Sequence, residues 1–369
     1  MGRLGLYCSA LLLALAQFAV ARVRISSLNW LHLIITPTAD AGLVGVNYGR
    51  VADNLPPPTE VVQLLKSYGI DRVKIFDTDS TVLKALSGTG ISVTVTLPNQ
   101  QLSSAASSSS FATTWVQQNI AAYHPGTRIE AIAVGNEVFV DPNNLTGFLV
   151  PAMKNIHDAL VNLNLNSSIK VSSPIALSSL GTSYPPSSGS FKPELAGTMA
   201  SMLEFLRQYG SRLMVNVYPF FAYESNSDKI SLDYALFRDA QGIVDPNNGL
   251  HYFSLFDAQV DAVFAAMSAL NHTDVGLVVT ETGWPSMGDQ QEIGAGKENA
   301  AAYNGNVARR TVGAGGGTPL KPQASLTVYL FALFNENQKP GPTSERNFGL
   351  FYPNKEKVYD LPFPVRTEA

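Results

Sequence analysis

Residues 278–286 read VVTETGWPS: an apolar, β-branched run stops at a glutamate, and a glycine and a tryptophan follow. Only 15% of the 369 residues are charged, so a carboxylate where a strand-like run ends needs a reason. The same unit recurs along the chain. Strand-like runs occupy 43–49 (LVGVNYG), 72–77 (RVKIFD), 91–98 (ISVTVTLP), 129–137 (IEAIAVGNE), 169–176 (IKVSSPIA), 213–220 (LMVNVYPF), 276–282 (GLVVTET) and 326–336 (LTVYLFALFNE). Their nearly continuous Val, Ile and Leu content is that of strands covered on both faces. Between them lie helical patterns at 59–68, 80–87, 111–122, 145–160, 195–209, 257–270 and 297–311. In 145–160 the apolar residues fall at three- and four-residue steps, behind Asn143 or Asn144 as an expected cap. Eight strand–helix units, with one glycine in the YGRVADN stretch where a dinucleotide loop would need several, predict an α/β fold: a single-domain (β/α)8 TIM barrel over 42–369.

Two long segments, 178–193 and 221–253, follow the fifth and sixth runs and are rich in Ser, Pro, Gly and Asn, the pattern of functional βα loops. The run SSAASSSS at 103–110 reads as a solvated connection. At the other end of the chain, Arg3 precedes an apolar stretch closing on Ala19-Val20-Ala21, which predicts a signal peptide over 1–21. A later cut after Ala41 is the alternative, and the status of 22–41 stays open. Removal of 1–41 leaves 22 Lys and Arg against 28 Asp and Glu, a mildly acidic protein with no block of like charge. That balance argues against nucleic-acid or polybasic membrane partners. The lone cysteine, Cys8, lies in the signal segment, so neither a disulfide nor a thiol nucleophile is expected. Sequons at Asn144, Asn166 and Asn271 fit a secreted glycoprotein, extracellular in the cell wall or held in a vacuole. No membrane span is expected in the mature chain, no hydrophobic tail suggests a glycolipid anchor, and a monomer is expected.

In a βα barrel the active site lies at the C-terminal strand ends. There stand Asn47 and Tyr48, Asn136 and Glu137, Asn216, Tyr218, Phe220 and Phe221, Glu281 and Trp284, then Glu336 and Lys339. Carboxylates, amides and aromatic rings on one face suit a sugar polymer. Cleaving a glycosidic bond needs two carboxyl groups, about 5 Å apart for retention and about 6.5–9.5 Å apart for inversion. Aromatic faces stack on pyranose rings, and amides both donate to and accept from hydroxyls. Trp284 equally fits a core position, and Phe220 and Phe221 the closure of a barrel end. The histidines show no metal-ligand spacing and no GxSxG turn is present, so neither a metal, a cofactor nor a serine nucleophile is expected.

VGVNYGR, IEAIAVGNEV, NVYPFFAY, VVTETGWPS and FNENQKPGPTSERNFGLFYPN resemble, in the same order, the plant glucan endo-1,3-β-glucosidases of glycoside hydrolase family 17. The resemblance spans residues 43–353. It implies a (β/α)8 barrel with a long open cleft, a β-1,3-glucan substrate such as callose or laminarin, and a retaining mechanism. It further implies that Glu137 is the acid/base, Glu281 the nucleophile, and Asn136 the amide on the 2-hydroxyl of the sugar being cleaved. Glu336, Lys339 and Glu345 match a charged cluster near the cleft, and Tyr218, Phe220, Phe221 and Trp284 match sugar-contacting or site-shaping groups. One departure is Phe76, where many relatives have tyrosine. Two other readings remain open: a non-catalytic β-glucan-binding wall protein, and a β-glucan transglycosylase.

Overall fold

The structure, a computed structural model, describes residues 42–313 and 316–361. The expected signal peptide, the 22–41 extension and Cys8 lie outside the described residues. Nine parallel strands form one sheet: β1 (Leu43–Tyr48), β2 (Arg72–Ile75), β3 (Ser92–Leu97), β4 (Arg128–Val134), β5 (Lys170–Ser172), β6 (Pro174–Ala176), β7 (Leu213–Asn216), β8 (Leu277–Thr282) and β9 (Thr327–Leu330). They are ordered β5-β4-β3-β2-β1-β9-β8-β7-β6. β5 and β6 are halves of the single run expected at 169–176, and Pro174, which has no N–H to donate, starts the second half. β5 pairs with β4 and β6 with β7, so the order closes on itself as an eight-fold (β/α) barrel. Val73, Ile75, Val93, Val95, Leu97, Ile132 and Val134 are completely buried, which is why these strands alternate so little.

Helices on the outside are α1 (Pro58–Ser67), α2 (Ser80–Leu86), α3 (Leu102–Ser107), α4 (Ser109–Val116), α5 (Thr146–Asn162), α6 (Ala196–Gln208), α7 (Pro219–Ser225), α8 (Leu232–Ala235), α9 (Leu255–Ala269) and α10 (Lys297–Val312); α3, α7 and α8 lie outside the expected helical patterns. Among the described residues no helix is long and apolar enough to cross a membrane. The serine-rich run at 103–110 is not a plain connection. It forms the end of α3 and the start of α4, because Ser108 closes one and caps the other, its Oγ accepting from Phe111 N. Leu102 and Ala105 supply the buried face, and Asn155 of α5 donates to the Ala105 and Ala106 carbonyls. The expected asparagine cap of α5 is also absent: Leu145 occupies that position without a side-chain bond, and Asn143 instead donates to Asp141.

Both long segments fold into local structure. Residues 180–182 and 190–191 make one antiparallel hairpin, residues 243–244 and 251–252 another. Asp245 joins them, accepting from Ser187 N and Ser187 Oγ at 2.8 Å each. Three strands stop earlier than their apolar runs. β4 ends before Gly135, β7 before Pro219 opens α7, and β9 at Leu330, so Glu137, Tyr218 and Glu336 sit just beyond regular structure. Asn144, Asn166 and Asn271 are all exposed.

Candidate active site

A cleft of about 950 Å³ opens at the C-terminal strand ends. Glu137 and Glu281 both line it. Glu281 lies inside β8, level with Asn216 of β7, so the sheet itself sets its position. Its side chain is almost wholly buried, with two donors: Lys74 Nζ to Oε1 at 2.7 Å and Tyr218 Oη to Oε2 at 2.9 Å. A buried carboxylate requires such partners, since desolvating an unpaired charge is prohibitive. The Tyr218 hydroxyl is pushed well above its ordinary pKa by burial and then by the Glu281 charge, which keeps it a donor.

Glu137 is held differently. It follows Gly135 (φ +70°) and itself adopts the left-handed region, φ 51° and ψ 41°. That conformation costs a non-glycine residue on the order of 1–3 kcal/mol and persists only where the surroundings enforce it. Asn99 is the clamp: it accepts from Asn136 N at 2.8 Å and donates to Asn136 O at 3.0 Å. Glu137 N donates to Pro174 O at 2.9 Å, closing the turn against β6. The carboxylate receives Asn216 Nδ2 on Oε1 at 2.9 Å, and Thr280 Oγ1 fixes that amide by donating to Asn216 Oδ1 at 2.9 Å. The Glu137 pKa is raised, first by burial and second by the charge of Glu281, while the Asn216 bond and Lys74 pull it down.

Asn136 accepts from Lys74 Nζ at 3.3 Å, so one ammonium touches both the amide and Glu281. Lys74 comes from β2 and is completely buried, with its ammonium 4.0 Å from the Phe76 ring centroid. Burial pushes the lysine pKa down against the pull of Glu281. Beyond the end of β9, Glu336 Oε2 accepts from Val51 N at 2.7 Å, and burial raises its pKa. Gly49 leaves room for this carboxylate; a Cβ there would collide with it. Lys339 lies 3.5 Å from Glu345 Oε2 and above the Phe331 ring. Tyr218, Phe221, Phe331 and Phe348 make an aromatic wall with centroids 5.5–6.2 Å apart.

Of the residues expected at the site, Asn136, Glu137, Asn216, Tyr218, Phe221, Glu281, Glu336, Lys339 and Glu345 line one cleft. Four others do not reach it. Trp284 and Phe220 are wholly buried against each other at 5.2 Å, and Trp284 Nε1 donates to Gly294 O. Asn47 is buried, donating to Thr280 O, and Tyr48 packs on Phe334 under Arg50. These four can only support the site from behind. Lys74, Asn99, Phe331 and Phe348 were not singled out in the sequence. For Lys74 a signal existed: a lysine within an otherwise apolar barrel strand must have a buried partner.

Residues 44–363 match the model of the family described as glycosyl hydrolases family 17. Glucan endo-1,3-beta-glucosidase 11 of Arabidopsis thaliana is 46% identical over 337 residues, 91% of this chain and 79% of that protein. A beta-1,3-glucanase and pollen allergen of Cryptomeria japonica superposes with a TM-score of 0.84 at 45% identity, covering 88% of this chain and all of that one. One of two plant beta-glucan endohydrolases with distinct substrate specificities superposes at 0.80 with 41% identity, over 86% of this chain and all of that one. With the family's model covering nearly the whole barrel and relatives this similar along it, the chain belongs to glycosyl hydrolases family 17.

Proposed function

We propose that this protein is an endo-hydrolase of β-1,3-glucosidic bonds in β-1,3-glucan, acting by double displacement with retention. Glu281 attacks the anomeric carbon as the bond to the glycosidic oxygen breaks, and Glu137 gives that oxygen its proton. Once Glu281 is esterified, Glu137 takes a proton from water, whose oxygen attacks the same carbon and releases Glu281. The observation that carries this reading is Asn216: its backbone lies level with Glu281 while its amide holds Glu137, so two carboxyl groups with different surroundings face one cleft. Glu281 has a cation and a phenol donating to it, which suits the nucleophile. Glu137, with its raised pKa, suits the proton donor. Names of relatives as glucan endo-1,3-beta-glucosidases support the linkage. Asn136, Tyr218, Phe221, Glu336, Lys339 and Glu345 contact or shape the bound glucan in this reading. The protein acts as a secreted monomer on wall glucan.

The test is digestion of laminarin beside cellulose and a mixed-linkage glucan, with the anomeric configuration of fresh products followed by proton NMR. A ladder of β-configured 1,3-oligomers from laminarin, lost in Glu137→Ala and Glu281→Ala, is expected. Folded protein retained on a β-1,3-glucan column without cleaving any of the three would replace the hydrolase with a binding protein.

A further inference from the structure

The loop after β8, the strand that carries Glu281, reaches across to the segment after β9 and holds it at both ends. That segment makes a short 3₁₀ turn, Thr343–Arg346. At its start Asp289 accepts from Thr343 N at 3.0 Å and from Thr343 Oγ1 at 2.5 Å, and Glu292 Oε2 accepts from Ser344 N at 3.1 Å. Past its end the Asn347 carbonyl accepts from Ser286 N at 2.8 Å and from Ser286 Oγ at 2.9 Å. Glu292 Oε2 also accepts from Asp289 N at 2.7 Å, which joins the two carboxylates into one strap. Neither Asp289 nor Glu292 lines the cleft.

Glu292 is only 5% exposed, and no lysine or arginine pairs with it or with Asp289 among the described residues. Burying a carboxylate is costly unless donors satisfy its charge, and the donors to Glu292 are the N–H groups of Asp289 and Ser344. The far end of the turn has further support, because Ala332 N donates to Phe348 O. The start has none: among the described residues, the remaining hydrogen bonds of 341–346 stay within 339–347. Its place against the barrel depends on the two carboxylates. What the turn presents to the cleft is Glu345, whose Oε2 lies 3.5 Å from Lys339 Nζ, and Arg346 Nη1 donates to the Lys339 and Gly341 carbonyls at 3.0 and 2.9 Å. A shift of the turn therefore moves both cleft charges together.

We propose that Asp289 and Glu292 are positioning residues for glucan binding: by holding the start of the turn they set Glu345, and through it Lys339, in place against the bound strand. This rests on the hydrolase reading above, in which Glu345 and Lys339 contact or shape bound glucan. Glu281 is fixed by β8 and Glu137 by Asn99 and Asn216, so the strap governs grip on the substrate and not bond cleavage.

Asp289→Ala removes both bonds to Thr343, whereas Asp289→Asn keeps an acceptor for Thr343 N and a donor for its hydroxyl. KM and kcat on laminarin are measured for these variants, for Glu345→Ala, and for Asp289→Ala combined with Glu345→Ala. Loss of one or two hydrogen bonds to glucan predicts that KM rises about fivefold or more in Asp289→Ala with kcat within about twofold of wild type. Asp289→Asn recovers most of that rise, and Asp289→Ala adds nothing to KM once Glu345 is alanine. An unchanged KM, a loss confined to kcat, or KM effects of the two alanine variants that multiply in the combined protein overturns the proposal. Should Asp289→Ala unfold, Thr343→Val cuts one of the same bonds from the other side and is read in the same cycle. Wild type inactive on laminarin would refute the hydrolase reading instead, and titration calorimetry of laminarin into the same proteins would still test the strap, with Kd in place of KM.

Discussion

Lys74 and Glu281 form a buried ion pair under the cleft, Nζ to Oε1 at 2.7 Å, with the lysine side chain completely covered. β2 and β8 bring these residues together across the barrel, 207 positions apart in the chain. Removing one partner of such a pair leaves the other charge buried, at a cost of about 3–5 kcal/mol. Lys74→Met is therefore expected to be strongly destabilised, and Lys74→Met combined with Glu281→Gln to recover much of the loss. Denaturant unfolding of wild type, Lys74→Met, Glu281→Gln and the double variant measures this; additive effects would mean the two side chains do not act as a pair.

Glu137 carries a pH signature. Its pKa is raised in the folded protein by burial first and by the Glu281 charge second. The unfolded chain loses this proton at lower pH than the folded one. The associated stability is complete below the unfolded pKa, about 4.3, and is lost as pH rises through the folded pKa. Glu137→Gln does not titrate, so its Tm should gain on wild type as pH is raised from about 4 to 7. Calorimetric scans giving a constant Tm difference would contradict the assignment. Turnover of glucan should fall about 10²–10⁴-fold in this variant, and much less for an activated aryl glucoside whose leaving group needs no proton.

Asn216 tunes that acid. The hydrogen bond that its Nδ2 donates to Glu137 Oε1 lowers the carboxyl pKa, so Asn216→Ala should raise it further. If Glu137 governs the basic limb of kcat/KM against pH, that limb moves to higher pH in the variant. A limb that stays in place, with activity otherwise measurable, assigns the titration to another group.

Phe76 faces the cleft with the Lys74 ammonium against its ring. Phe76→Tyr offers a new hydroxyl to bound glucan. One hydrogen bond of about 0.5–1.5 kcal/mol corresponds to a fall in KM of roughly two- to tenfold, with kcat unchanged. Initial-rate kinetics on laminarin separate the two; an altered kcat with constant KM would place the hydroxyl at the reacting groups.

Trp284 is a core residue despite its place in the TETGW motif. Its ring packs against Phe220, Tyr223 and Tyr303. Trp284→Phe loses volume and the bond to Gly294 O, a destabilisation of about 1–3 kcal/mol, while KM for glucan stays as in wild type. A large rise in KM with Tm preserved would return Trp284 to the cleft.

The barrel was legible because fully covered strands leave a strong mark: eight apolar runs, separated by helical patterns, have few other ways to bury both faces. The strand ends were less so. The runs continue through GNE, NVYPF and LFALFNE, but Gly135, Pro219 and the turn after Leu330 stop the strands sooner. Ser108 turned a low-complexity stretch into two helices, ending α3 and capping α4, because capping is a local bond that serine content alone does not disclose.

Sequence by itself determined the fold class and the two glutamates at strand ends, since periodicity and position along a strand are local properties. Which aromatic rings face the cleft was decided only by tertiary packing. Phe220 and Phe221 are neighbours in one helix, yet one is wholly buried beside Trp284 and the other lines the cleft. The same holds for charge. Lys74 is one residue in an apolar strand until the barrel closes and sets it against Glu281, because a buried ammonium takes its role from the carboxylate that shares its low-dielectric surroundings.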